Sequence, residues 1–158
     1  MAGVSGATFT FVNKCRYTVW PGILGQPGRT GCNFNGSSPT SYATADCGTG
    51  QIECNGAGAT PPATIAEFTL GSSTMTQNFY DVSLVDGYNI QMIVEVNSGS
   101  GDCATTGCVD DLNQRCPPEL RVAGGAGCRS ACEAFGTAEY FCKGEFGSPQ
   151  SCQPTAYS

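Results

Sequence analysis

Eleven cysteines in 158 residues constrain this chain more than any other feature. None stands in a Cys-x-x-Cys pair, so the usual redox motif is missing and a thiolate zinc site fits poorly. The sulfurs are therefore expected mainly in disulfides formed in an oxidising compartment. Their number is odd, so at least one has no partner within the chain. Seven of the eleven fall between positions 103 and 152, marking a cysteine-rich C-terminal region. The 22 glycines and a charged fraction of only 13% agree with a turn-rich extracellular protein of a single domain.

Charge narrows the partners. Thirteen acidic residues against seven basic give a net −6 without a basic run, which disfavours nucleic acid and anionic membranes. A neutral, hydroxyl-rich ligand such as a polysaccharide is compatible with that balance. Histidine is absent, which excludes a Ser-His-Asp triad, a Cys-His nucleophile and any histidine-ligated metal. Carboxylates remain as the acid and base groups; neither cofactor nor metal is expected. No apolar stretch is long enough to span a membrane. Positions 1–6 lack the basic and apolar regions of a signal peptide. They read as a remnant around a cleavage site or as added residues, so secretion is inferred from the cysteines.

Alternation is clearest around Asp86-Gly87. In one flanking run Tyr80, Val82 and Leu84 point one way, and Asp81 and Ser83 the other. In the next, Ile90, Met92, Val94 and Val96 alternate with Asn89, Gln91, Ile93 and Glu95. An Asp-Gly pair between such runs predicts a tight hairpin over 79–96 with a type I′ turn. Positions 63–70 predict a further strand, with Ala66, Phe68 and Leu70 on one face and Ile65, Glu67 and Thr69 on the other. Positions 8–13 and 16–20 read as the first two strands around a turn at Asn13-Lys14-Cys15, with Pro21 ending the second. After a short loop at 22–28, positions 29–62 show no period and read as loop tied by sulfur, carrying the glycosylation sequon at Asn35. Positions 128–135 predict a short helix with Cys128 and Cys132 one turn apart and Gly136 as its stop.

A series of ordered pieces resembles the thaumatin-like proteins, the plant group-5 pathogenesis-related family. They are Phe9-Thr-Phe-Val-Asn-Lys-Cys15 with Thr18-Val-Trp-Pro21, Arg29-Thr-Gly-Cys32, Ala45-Asp-Cys47, Gln51-Ile-Glu-Cys-Asn-Gly56 and Pro61-Pro-Ala-Thr64 with Glu67. They continue with Phe79-Tyr-Asp-Val-Ser-Leu-Val-Asp-Gly-Tyr-Asn89, the cysteines at 103, 108, 116, 128 and 132, and Phe146-Gly-Ser-Pro149. The resemblance covers nearly the whole chain and implies a mainly β, thaumatin-like antiparallel β-sandwich with a disulfide-rich loop and short-helix region. On this reading 7–102 hold the sandwich core with an internal deletion, and 103–155 the cysteine-rich part. The resemblance further implies a shortened form, lacking an N-terminal segment and the C-terminal strands of the family.

The resemblance also implies a pairing: Cys47–Cys54, Cys116–Cys128 and Cys142–Cys152. It leaves Cys15, Cys32, Cys103, Cys108 and Cys132 without their family partners; Tyr42 and Phe141 replace two of those partners, and a new Cys103–Cys108 bridge is an alternative. Each lost bridge typically costs roughly 2–5 kcal/mol.

The family's acidic cleft implies ligand binding, and candidate catalysis, at Glu67, Asp81 and Asp86; the cleft arginine and a last aspartate have no counterpart. Asp86 is equally a routine turn residue before glycine, and Glu67 and Asp81 are equally a solvated strand face. Tyr80 and Tyr88 are candidates for stacking on sugar rings, or else packing residues. The function implied is a secreted, monomeric plant defence protein, antifungal and of an allergen-containing family, that binds β-1,3-glucan of the fungal wall. The alternatives are an endo-β-1,3-glucanase, an inactive truncated product, or a fragment of a receptor ectodomain.

Overall fold

The computed structural model describes residues 7–16, 20–24, 29–32, 44–49, 57–71, 77–97 and 103–157. The N-terminal positions 1–6, the central part of the expected second strand at 17–19, Asn35 and Cys54 lie outside the described residues. Four strands make an antiparallel meander in the order β1 (Trp20–Leu24), β2 (Arg29–Cys32), β3 (Ile65–Thr69) and β4 (Phe79–Ser83). Two short strands, β5 (Ile93–Val94) and β6 (Thr106–Gly107), pair separately. Beyond them run 3-10 turns and the helix α1 (Ala131–Phe135), with disulfides joining Cys116 to Cys128 and Cys142 to Cys152. This is the mainly β, disulfide-tied class expected.

Several expectations are corrected. Positions 8–13 form no strand, although their composition favours one. A strand needs a ladder, and among the described residues none is offered to them. Phe9, Phe11 and Val12 stay 44%, 52% and 70% exposed, and Phe9 instead sets its ring on Phe68 at 4.6 Å. The turn that follows is present, with the Cys15 N–H donating to Asn13 Oδ1 at 2.8 Å. Pro21 does not end a strand but lies within β1, the outermost strand of the sheet among the described residues, where a residue without an N–H is tolerated. Arg29-Thr-Gly-Cys32, expected as loop, is β2, placed by pairing on both sides rather than by its own composition.

Asp86-Gly87 turns the chain without making the hairpin. The Gly87 N–H donates to the Leu84 carbonyl at 2.9 Å, so Val85 and Asp86 are the central residues. Neither has the positive φ that a type I′ turn needs; Gly87, the fourth residue, has φ 75°. The chain therefore leaves β4 instead of returning along it. A Cβ at Gly87 would run into the Cys128 carbonyl and approach Pro62 Cβ at 2.9 Å, so this crossing needs glycine. Tyr88 and Cys128 then exchange both backbone hydrogen bonds at 2.8 Å. Of the second run only Ile93–Val94 regains a ladder, and its partner is β6.

The helix is also shorter than expected. Cys128 is extended in its bridge to Tyr88, so α1 starts at Ala131. Ser130 caps it by accepting from the Glu133 N–H at 3.1 Å. Gly136, at φ 66°, stops it as expected.

Burial is spread over small groups. Ala45, Ala63 and Ile65 form one, at the start of β3. Cys116, Leu120 and Cys128 form another, with Tyr88, Ala134 and Tyr157 against it. Between the segments that meet at the end of the sheet lies a buried polar group of Thr44, Thr64 and Asn89. Asn89 Nδ2 donates to Thr44 Oγ1 at 3.0 Å, and Asn89 Oδ1 accepts from the Thr64 N–H at 3.0 Å. Thr64 Oγ1 accepts from the Asn89 and Ile90 N–H groups at 3.1 and 3.3 Å, and donates to the Ile90 carbonyl at 2.8 Å. These contacts hold the chain leaving Asp86 against β3, which is the physical reason the second run does not return along β4.

Candidate ligand site

The register of β3 on β4 sets Glu67 directly opposite Asp81. The register of β2 on β3 sets Arg29 opposite Glu67, and β1 contributes Leu24 opposite Arg29. One row across the sheet therefore reads Leu24, Arg29, Glu67, Asp81. Directly opposed residues in an antiparallel pair have Cβ atoms about 4.5–5.5 Å apart.

The two carboxylates differ in setting. Asp81 is exposed, because alternation sends Tyr80 and Val82 to the other face. Tyr80 is anchored there by its hydroxyl, which donates to the Ala104 carbonyl at 2.6 Å. Glu67 is half-buried, and Ile65, two residues earlier on the same face, is buried with Ala45 and Ala63. The acidic face is thus covered at its Ile65 end and open at Asp81.

Asp86 is not in the row. It lies half-buried in the turn beyond β4, its carbonyl accepting from the Ala63 N–H at 2.9 Å. Its charge reaches the Cys132 thiol on α1. Burial pushes that thiol up, the Lys143 ammonium pulls it down, and Glu133 and Asp86 push it up again. Cys132 thus responds to charge on the turn after β4 as well as to charge within the cysteine-rich region. The structure brings Glu67 and Asp81 together and sets Asp86 apart, toward α1.

Tyr80 and Tyr88 are both engaged in structure. Loss of solvent, then the Cys103 sulfur, pushes the Tyr80 phenol up, against the Ala104 hydrogen bond. Tyr88 rests against Cys116, Leu120 and Cys128. Cys15, Cys103, Cys108 and Cys132 carry free thiols, exposed at Cys103 and buried at Cys132. Cys47 is disulfide-bonded. Among the described residues no group of three or more His, Cys, Asp and Glu is placed to hold a metal ion, and no helix is long and apolar enough to cross a membrane.

Two residues of this region escape a reading of the sequence. Arg29 sits in an aperiodic stretch, and only its pairing reveals its place. Lys143 is forty-seven positions past the last long alternating run, and only the tertiary fold lets its charge act on Cys132. Chemically, carboxylates offer acceptors to hydroxyl groups. Glycoside hydrolysis would ask more, namely one carboxyl kept protonated in a dry environment about 5–5.5 Å from a nucleophilic partner, or roughly 6.5–9.5 Å from a base.

A mainly antiparallel β protein, tied by disulfides and carrying an acidic row on its sheet, is the class defined so far. The family model described as the Thaumatin family matches residues 27–158. Over its full length the chain is 50% identical to a thaumatin-like protein 1 of Arabidopsis thaliana, covering 75% of that relative. It is 45% identical to the pathogenesis-related thaumatin-like protein 3.5 of Cryptomeria japonica, with 98% of the chain and 77% of the relative aligned. It is 40% identical to a protein of Prunus avium named glucan endo-1,3-beta-glucosidase, with 99% of the chain and 78% of the relative aligned. The chain belongs to the thaumatin family. The Arabidopsis alignment runs over 195 residues against the 158 of this chain, so that relative carries internal segments omitted here.

Proposed function

We propose that this chain is a secreted, monomeric plant defence protein that binds β-1,3-glucan of the fungal wall through Glu67 and Asp81, with Asp86 at the neighbouring corner. The observation that carries this reading is the register placing Glu67 directly opposite Asp81 on a sheet face covered at one end and open at the other. Membership of the family and a relative named as a glucan endo-1,3-beta-glucosidase support the ligand class. The disulfides support an oxidising, extracellular setting.

Binding is favoured over turnover. Asp81 is exposed and Glu67 half-buried, so neither stands in the dry pocket that keeps a catalytic carboxyl protonated. The test is retention on an insoluble linear β-1,3-glucan together with reducing-sugar release from a soluble one. Retention that falls in Glu67→Gln and Asp81→Asn, without sugar release, is the expected result. Release abolished by Glu67→Gln would replace binding with catalysis. Undiminished retention in both variants would move the site elsewhere.

A further inference from the structure

We propose that the rings of Phe135, Tyr140 and Tyr157 in the cysteine-rich region form a second contact site for β-1,3-glucan, on elements other than the acidic row. The inference rests on the glucan-binding reading and deepens it, by giving the same polysaccharide an aromatic platform.

The rings come from separate places in the chain. Phe135 ends α1, and Tyr140 closes the next turn, its N–H donating to the Thr137 carbonyl at 3.2 Å. Tyr157 lies beyond the Cys142–Cys152 disulfide. Their centroids close a triangle, with Phe135 5.4 Å from both Tyr140 and Tyr157, and those two 5.9 Å apart. The planes are inclined by 40°, 45° and 67°, so no ring lies flat over another. Tyr157 rests on the buried group of Cys116, Leu120 and Cys128, which anchors the triangle on one side. Phe135 stays 40% exposed and Tyr140 is half-buried, so the triangle also meets solvent. Single exposed apolar residues are ordinary, whereas a contiguous exposed patch points to a ligand.

Two features choose that ligand. Centroids about 4.5–7 Å apart are those of rings in direct contact, so no ammonium group fits between them as it would in an aromatic cage. What the rings offer is an outward surface of π faces. It suits the apolar C–H face of a β-glucopyranosyl ring, whose substituents are all equatorial. Polar groups stand at the edge of that surface. The Tyr157 hydroxyl donates to Glu119 Oε1 at 2.8 Å, which fixes the ring and sets a carboxylate beside it. The Tyr140 hydroxyl has no hydrogen-bond partner among the described residues and is left to exchange one with a sugar hydroxyl.

Hydroxyl-radical footprinting of the wild type locates the contact without any substitution. It is read by peptide mass spectrometry with and without a saturating soluble linear β-1,3-glucan. Calorimetric affinities of Phe135→Leu and Phe135→Trp for the same glucan, beside urea unfolding of each protein, measure the weight of the contact. Leucine keeps apolar bulk and loses the π face; tryptophan keeps both. The expected result is loss of radical reactivity at Phe135 and Tyr140 on binding. Affinity should fall about fivefold in Phe135→Leu and stay close to wild type in Phe135→Trp. Unchanged reactivity at both rings while the glucan is bound overturns this site and leaves the Glu67 and Asp81 reading intact, as does a Phe135→Leu affinity equal to wild type. Protection of the rings in a Glu67→Gln, Asp81→Asn protein that binds as tightly as wild type supports this site and overturns the acidic row. A wild type that does not bind the glucan overturns both readings together. If Phe135→Leu does not fold, the wild-type footprint still decides.

Discussion

Replacing Asn89 with alanine tests the account of how the chain is steered after Asp86. The side chain makes two hydrogen bonds at 3.0 Å, accepting from the Thr64 N–H and donating to Thr44 Oγ1. All three residues are buried, at 7%, 2% and 5% exposure. Removing the side chain leaves the Thr64 N–H a buried donor without an acceptor, which costs about 1–3 kcal/mol. Loss of the bond to Thr44, whose Oγ1 is left without that donor, adds about 1 kcal/mol. The expected destabilisation is therefore about 2–4 kcal/mol, a large share of the roughly 5–15 kcal/mol typical of a domain. Urea unfolding with the disulfides intact, followed by Trp20 fluorescence and far-UV circular dichroism, measures it. Thr44→Ala and the double variant complete a cycle in which Asn89 and Thr44 should couple by about 1 kcal/mol. A cost below about 1 kcal/mol for Asn89→Ala, or strict additivity with Thr44→Ala, refutes the reasoning, because the polar group would then not hold the segment in place.

Gly87→Ala should destabilise by more than about 2 kcal/mol, since φ is 75° and the new Cβ meets the Cys128 carbonyl, a backbone atom; a Tm within a degree or two of wild type would count against the close crossing. Timed alkylation of the native protein should label Cys103 first and Cys132 last, because the first thiol is exposed and the second is buried and pushed up; equal rates, read by peptide mass spectrometry, would contradict that order. The Tyr157 hydroxyl donates to Glu119 Oε1 at 2.8 Å; a backbone hydrogen bond and then Tyr157 hold Glu119 below the usual carboxylate range, and Glu119 in turn pushes Tyr157 up. A depressed acid stabilises above its unfolded pKa, and a raised phenol stabilises below its own. Tyr157→Phe should therefore lower Tm at neutral pH, and the two proteins should converge as pH falls through the carboxylate range and as it rises past the tyrosine range. A difference that is flat across pH would remove the hydrogen bond as its cause.

The parts of the fold legible in the residues are those whose own alternation decides their state. β3 lies within 63–70 and β4 begins at Phe79, as the alternating apolar positions require. What could not be read is whatever pairing decides. Trp20–Leu24 contains a proline and a glycine, Arg29–Cys32 a glycine, and both become strands because neighbours supply the ladder. The position of the turn at Asp86-Gly87 was legible but not its direction, because the contacts that divert it come from Thr64 and Cys128, far away in sequence. The same holds for the site. Alternation put Glu67 and Asp81 on polar faces, but the register that opposes them, and that adds Arg29, is a property of strands rather than of residues. Gly136 as the helix stop was visible; the cap at Ser130 was not, because Cys128 looked helical until its bridge to Tyr88 was known.

Cys128 carries a consequence for the order in which the molecule assembles. Its disulfide partner is only 12 positions away, so this loop closes at low entropic cost and needs nothing from the sheet. Once closed, it presents Cys128 as a ready template for Tyr88, the first residue beyond the turn. Closure of this loop is thus local, and the closed loop receives Tyr88, which packs on Cys116, Leu120 and Cys128. Until that template exists Tyr88 lacks its bridge partner, while Asn89 and Ile90 can already meet Thr64, so the two halves of this crossing are held from opposite sides.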